Sequence, residues 1–414
     1  MGNGDAELRK IPYPYRAMLA ICSDLDETPD RQVYHEIMRF LNTTETTAMG
    51  PGVGLEVGNT IYFDMPPDQF AYWNTDDAGR AMVRDLIRSG HIDCLHSYGD
   101  LAATREHATR ALDELDRHDC RLEVWIDHAV APTNFGADIM CGHGDEPGHA
   151  AYHADRTCDF GVQYVWRGRV TSVIGQNAPT SLAGLLTRRA PLASARTLAK
   201  EAVKQSLARC GRAKYNMHAS NDVLRRTQLR DGRRVHEFLR SNPHWGGVSS
   251  CDTGREIGQV LTEDLLKRLE RRGGASILYT HLGKISDSRV PFNDAAVAAF
   301  RRLADAHRDG RILVTTTRRL LGFCHAIRSV ELSVENDTQG VRIRLAPAPG
   351  LVATPNPSGV CDLDGLTLYT QDPQRISLCV GDTPMPGLRC NPPDESGRRS
   401  VSLGWPSLRF PDWD

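Results

Sequence analysis

Ala17-Met-Leu-Ala-Ile-Cys-Ser-Asp24-Leu-Asp26-Glu27 is the stretch on which the reading of this chain turns. Residues 17–23 form a continuous apolar run that ends abruptly in acid. That pattern suits a strand buried on both faces that delivers polar side chains at its C-terminal end. Residues two apart on a strand share a face, so Asp24 and Asp26 can address one site. Two carboxylates brought together out of water repel unless a cation or a shared proton compensates them. A metal ion that takes one Asp as ligand and leaves the other as a base resolves the conflict. The competing reading, an Asp capping the next helix, accounts for one acid more readily than for two.

Working outward, helical patterns are expected over 31–41, 78–88 (closed by Gly90), 105–118, 194–209, 261–272 and 295–307. Strands are expected over 122–126, 162–166, 277–280 and 312–316. Strands alternating with helices imply βα units and a mostly parallel sheet. The run Gly50-Pro-Gly-Val-Gly-Leu-Glu-Val-Gly58 lacks the ending of a phosphate loop and reads as a turn-rich connection. From about Val330 the pattern changes. Val330, Leu332 and Val334, then Val341, Ile343 and Leu345, alternate with polar residues around an Asp-Thr-Gln-Gly turn, and 366–369 and 376–380 continue in the same style. Asp362-Leu-Asp-Gly365 lacks the distal Glu of a calcium loop and reads as a turn. The expected organisation is α/β: a distorted (β/α) barrel over 1–325 with a basic insertion near 170–240, then a small β-sandwich over 326–414.

Composition narrows the function classes. A chain of 414 residues suits a large barrel with a small appendage. A formal net charge of -2 gives no global reason to expect nucleic acid as a partner. The polar N-terminus has no secretory h-region, and no apolar run is long enough for a spanning helix. The 11 cysteines are scattered, without a CxxC pair, which argues against a disulfide framework or a thiolate zinc site. A reduced, cytoplasmic protein is expected, and a homo-oligomer remains open. Residues 188–240 carry 14 Lys/Arg against 4 Asp/Glu. A solvated basic face is the plainer reading of that run, and a docking surface for an anionic or lipid-linked substrate the sharper one.

Two further segments carry chemistry. In Gly90-His-Ile-Asp-Cys-Leu-His96-Ser-Tyr-Gly-Asp100, His96 and Asp100 are four apart, so a helical turn would bring them together. An imidazole plus carboxylates suits zinc or a similar divalent ion, with positions open for water. His281, in Ile277-Leu-Tyr-Thr-His281, stands at the end of a late strand, where barrel enzymes place catalytic groups. His143, His149 and His153 form another cluster, read as a loop over the barrel mouth with a second metal site as the alternative.

Together the three segments resemble the polysaccharide deacetylase family, distorted (β/α) barrels that are metal-dependent carbohydrate esterases and other C–N hydrolases. Gly90, His91, His96 and Ser97 match its Gly-His…His-Ser/Thr motif in register, Asp24-Leu-Asp26 is similar to its acidic pair, and 161–166 to its strand ending in Trp. The resemblance implies Asp24 as general base and His281 as general acid. It implies Asp26, His96 and Asp100 as ligands of one divalent ion, zinc first, with nickel, cobalt, manganese or iron as alternatives. Asp127, His128, Asn134, Trp166 and Trp245 would line the substrate cleft. The implied activity is removal of an N- or O-acyl group from a carbohydrate or acylated small molecule. Asp100 stands where the family has a histidine, Arg167 where it often has an acid, and no Arg-x-Pro-Tyr segment is present. These departures leave two rivals open: a glycoside hydrolase using Asp24 or Asp127 with another acid, and an inactive carbohydrate-binding protein.

Overall fold

The computed structural model describes residues 7–25, 28–129, 131–336, 340–353 and 361–413. Asp26 and most of the Asp-Thr-Gln-Gly turn lie outside the described residues. The centre is an 11-stranded sheet. Its strands in chain order are β1 (Ala17–Ser23), β2 (Asn59–Ile61), β3 (Ile92–His96), β4 (Val124–Ile126), β5 (Tyr164–Trp166) and β6 (Val170–Thr171), then β7 (Leu224–Gln228), β8 (Arg234–Phe238), β9 (Arg240–Ser241), β10 (Ala275–Thr280) and β11 (Ile312–Thr315). The spatial order is β7-β8-β5-β4-β3-β2-β1-β10-β9-β6, with β11 also on β1. All pairings are parallel except the β7–β8 hairpin. The sheet curls strongly, because β8 on one limb runs almost directly into β9 on the other.

Side-chain alternation divides the interior into two layers. On β1, Ala17, Leu19 and Ile21 point outward into the layer under the helices, while Met18, Ala20 and Cys22 point into the hollow of the sheet. The outer layer is closed by amphipathic helices α1 (Arg31–Asn42), α2 (Asp77–Arg88) and α3 (Arg105–Arg117), followed by the short α4 (Ala154–Phe160). Helices α5 (Pro191–Arg209) and α6 (Asn216–Ser220) lie between β6 and β7 in the basic stretch, which is not a separate insertion since β6, β7, β8 and β9 of the central sheet fall within 170–241, and α7 (Glu263–Arg272) and α8 (Asp294–Arg308) complete the layer. Several helices start as their sequences predict: Asp30, Asp76, Thr262 and Asn293 each accept a hydrogen bond from the third residue beyond, which satisfies an otherwise orphaned N–H.

A ninth helix was not legible in the sequence. α9 (Thr317–Ser329) is buried from Thr317 through Ala326 and packs Leu320, Leu321 and Phe323 against the inner face of the sheet. The helix is buried nearly all round although Arg318, Arg319 and His325 are among its buried residues, so its sequence shows no clean one-sided apolar stripe to betray it. It also crosses the expected domain boundary at 325. Arg318 and Arg319 reach Asp362 and Asp364, so the Asp-Leu-Asp-Gly turn serves as an ion-pair anchor. Beyond it stand two four-stranded sheets, one of which takes in the N-terminal strand Glu7–Leu8 against Thr367–Tyr369. No helix among the described residues is long and apolar enough to cross a membrane. None of the eleven cysteines is paired.

Candidate active site

The inward parity of each strand continues past its C-terminal end and decides which side chains meet. Asp24 follows Met18, Ala20 and Cys22; His96 follows Cys94; His128 follows Val124 and Ile126; His281 follows Ala275, Ile277 and Tyr279. Two neighbouring strand pairs, β1 with β10 and β3 with β4, therefore deliver one carboxylate and three imidazoles to the C-terminal mouth of a parallel sheet, where open α/β folds bind ligands.

Asp24 is the centre. It is 3 % exposed. Its Oδ1 lies 3.9 Å from His96 Nε2 and 3.4 Å from an Arg240 guanidinium nitrogen, and its Oδ2 lies 3.4 Å from His281 Nε2. Burial pushes the carboxyl's pKa up, but His96, Arg240, His281 and His128 together outweigh it and hold the group down at about 2. Arg240 is fully buried. It donates to the Cys22 carbonyl at 2.7 Å, and its guanidinium lies 4.5 Å from the ring centres of both Trp166 and Tyr279. Stacked rings and a carbonyl thus fix a permanent cation beside Asp24.

Two Asp–His pairs flank this carboxylate. His281 Nδ1 donates to Asp252 Oδ2 at 2.9 Å, and the His281 backbone N–H donates to the Asp252 carbonyl at 2.7 Å. Nε2 is thereby turned toward Asp24 and toward the Tyr279 hydroxyl, 3.3 Å away. On the other side His128 Nδ1 donates to Asp100 Oδ1 at 2.7 Å, and this bond is the chief cause holding the Asp100 carboxyl below its usual range. The rings of His96 and His128 have centroids 4.6 Å apart, and Tyr62 stacks on His96 at 4.1 Å.

The expected helical turn between His96 and Asp100 is absent. His96 ends strand β3, and the chain then reverses through Ser97, Tyr98 and Gly99 with φ of 49°, 66° and 102°. Left-handed Ser97 and Tyr98 are costly where Gly99 is not, and the turn is held by Thr133 Oγ1 donating to the Ser97 carbonyl and Asp64 N–H to that of Tyr98. Asp100 reaches the site as the partner of His128.

The remaining expected residues separate. Trp166 lies beneath the site against Arg240. Asn134 shapes the His128 loop, accepting from the His128 N–H at 2.9 Å and donating to its carbonyl at 3.0 Å. Asp127 has the outward parity of Trp125. Its buried carboxylate accepts from Trp125 Nε1, Phe135 N and Gly136 N at 2.7–2.8 Å, so it ties down its own loop. Trp245 lines a separate cavity of about 350 Å³ with Leu185, Gln259 and Arg268. His153 is a core residue, bonded through both ring nitrogens to Thr157 and the Thr133 carbonyl, while His143 and His149 stack at the surface. The i, i+4 metal pair of His149 and His153 is therefore not formed.

His96 and His128 place two imidazoles, with ring centroids 4.6 Å apart, at the mouth of the sheet, the ligand type that zinc takes. His128, whose other nitrogen is held by Asp100, has the carboxylate–imidazole support typical of metal ligands. The donor chemistry fits a divalent ion. Among the described residues, however, no three His, Cys, Asp or Glu side chains are assembled closely enough to complete a site. No protein-family model matches the chain, and no curated protein is significantly similar to it.

Proposed function

We propose that this protein is a hydrolase that removes an acyl group, from nitrogen or oxygen, on a carbohydrate-like substrate with the help of one divalent metal ion. The observation that carries the reading is Asp24, an ionised buried carboxylate 3.4 Å from the Asp252-held His281 on one side and 3.9 Å from His96 on the other. A strand-end acid with an oriented imidazole opposite is the arrangement that general base and general acid need for acyl transfer to water. Asp24 accepts the proton of the attacking water. His281, its Nδ1 committed to Asp252, presents Nε2 to the leaving amine or alcohol. His96, His128 and Asp26 are the residues to hold the ion, which would polarise the acyl carbonyl. The curled parallel sheet with its catalytic groups at the strand ends supports a barrel of the deacetylase type.

The reading differs from the sequence expectation in giving His128 the ligand role and Asp100 the role of orienting it. A glycosidase using Asp127 is disfavoured, because that carboxylate is spent on three donors inside its loop. The test is acetate release from a panel of N- and O-acetylated hexosamines, with metal content measured on the same preparation. Asp24→Asn should retain the metal and lose at least ~10²-fold in kcat. Turnover that survives either that change or exhaustive chelation sinks the proposal.

A further inference from the structure

Helix α5 buries a polar stripe, the reverse of what a helix packed on a globular core usually does. Its buried positions are Ser194, Thr197, Glu201, Gln205 and Ala208, four of them polar. Opposite them Leu192 and Val203, spaced as i and i+11 on one line of the helix, are 86 % and 57 % exposed, and Leu186 just before the helix is 55 % exposed. The inward polar stripe is satisfied. Glu201 accepts from Thr171 Oγ1 at 2.7 Å, from the Ser172 N–H at 3.2 Å and from Lys204 Nζ at 2.8 Å, and Thr197 Oγ1 donates to the Trp245 carbonyl at 2.8 Å. The helix is therefore anchored by hydrogen bonds in the orientation that turns its apolar line outward.

Charge identifies what that face meets. Residues 188–214 carry eight lysines and arginines and one acid, Glu201, which is buried. Arg196 and Lys200 border the Leu192–Val203 line, and neither is ion-paired among the described residues. A second copy of the chain would set cation against cation. An apolar line rimmed by unpaired lysine and arginine is instead the surface that lies on an anionic lipid bilayer, with the aliphatic side chains entering the headgroup boundary and the cations meeting phosphate.

We infer that the α5 face docks the protein on the surface of an anionic phospholipid membrane. The inference stands on the helix alone and is independent of the chemistry proposed for the Asp24 site. Thr197 does, however, grip the loop that also carries Asp252, so docking would bring the mouth of that site close to the lipid.

The test is co-sedimentation of the full chain with vesicles of phosphatidylcholine alone and of phosphatidylcholine mixed with phosphatidylglycerol, at low and high salt. Binding is expected to the mixed vesicles only and to weaken with salt. Arg196→Glu with Lys200→Glu should lower partitioning at least roughly tenfold, at ~1 kcal/mol per cation near the surface. Leu192→Ser with Val203→Ser should lower it comparably while leaving the salt dependence in place. All four positions are on the surface, so unchanged circular dichroism melting separates lost docking from lost folding. Were a variant not to fold, the comparison of the two vesicle types with the unaltered protein still decides. No binding to mixed vesicles, equal binding to both types, or a concentration-dependent dimer abolished by Leu192→Ser with Val203→Ser would overturn the inference, the last by giving the face to a second copy.

Discussion

Replacing Arg240 by Met tests the electrostatics of the site most directly. The guanidinium lies 3.4 Å from Asp24 Oδ1, both groups are buried, and the remaining compensation comes from imidazoles. At an effective dielectric of about 20 the pair is worth about 5 kcal/mol. Two of the arginine's nitrogens, Nε and Nη1, have no hydrogen-bond partner among the described residues, so deleting the side chain also removes a desolvation cost and the net loss is smaller. A loss of ~2–4 kcal/mol is expected, and the Asp24 carboxyl should climb from about 2 into the ordinary carboxylate range or above. The assay is a double-mutant cycle by urea unfolding: Arg240→Met and Asp24→Asn, singly and together. Lost stacking on Trp166 and Tyr279 is common to both backgrounds and cancels, leaving the charge–charge coupling, expected at ~2–3 kcal/mol. If Arg240→Met costs the same in the Asp24→Asn background, within ~0.5 kcal/mol, the arginine does not hold Asp24 ionised and the account of the site fails.

Asp252→Asn should leave stability and KM nearly unchanged and lower kcat by roughly 10²-fold or more, because an amide can turn its N–H toward His281 and upset the ring's orientation; a loss under about threefold contradicts the positioning role. Gly99→Ala should cost at least ~2 kcal/mol by thermal unfolding, since φ is 102° and a Cβ there would stand 2.2 Å from the Asp64 carbonyl oxygen. Gly148→Ala, at φ 87° with no atom near the added carbon, provides the comparison and should cost only about half as much. Stability should fall on acidification. Burial lowers the pKa of His153 to about 4, against about 6.5 in the unfolded chain. The unfolded state alone takes up this proton between those values, so up to ~3 kcal/mol present above pH 6.5 is lost as pH falls toward 4. His153→Gln should flatten that part of the curve in urea titrations at stepped pH.

How much of this was legible in the sequence depends on the kind of signal each residue carries. The apolar run of β1 and the one-sided stripes of α1, α2, α7 and α8 are local patterns, and they came through with boundaries within a residue or two. Strand β3 was hidden because Ile-Asp-Cys-Leu-His mixes an acid and a histidine into a strand that is nevertheless buried throughout. The left-handed turn after it was hidden because only one of its three residues is glycine. Strand parity could have separated His128 from Asp127, since 124, 126 and 128 share a face. It required knowing that β4 presents Val124 rather than Trp125 to the hollow. Arg240 and Asp252 gave no local sign. The arginine lies in a run of cations whose other members are mostly solvated, and its meaning comes only from the strand order that sets β9 beside β10. The missing Arg-x-Pro-Tyr segment is therefore no measure of whether Asp24 has a cationic partner, because strand β9 supplies one.

That strand order also ties the site to helix α5. β9 pairs through Arg240 and Ser241 with Val170 and Thr171 of β6, and Thr171 Oγ1 donates to Glu201 in α5. The guanidinium that charges Asp24 and the carboxylate that fixes the outward-facing helix are thus held by two strands paired to each other at the end of the sheet. A short edge pair contributes little hydrophobic burial of its own, so its position depends on what is attached at either side. On the inside that is a cation packed against two stacked aromatic rings, and on the outside a buried acid with three donors. Both attachments are polar and directional, which sets the helix and Asp24 in a defined relation to each other where apolar packing alone would let the pair slide.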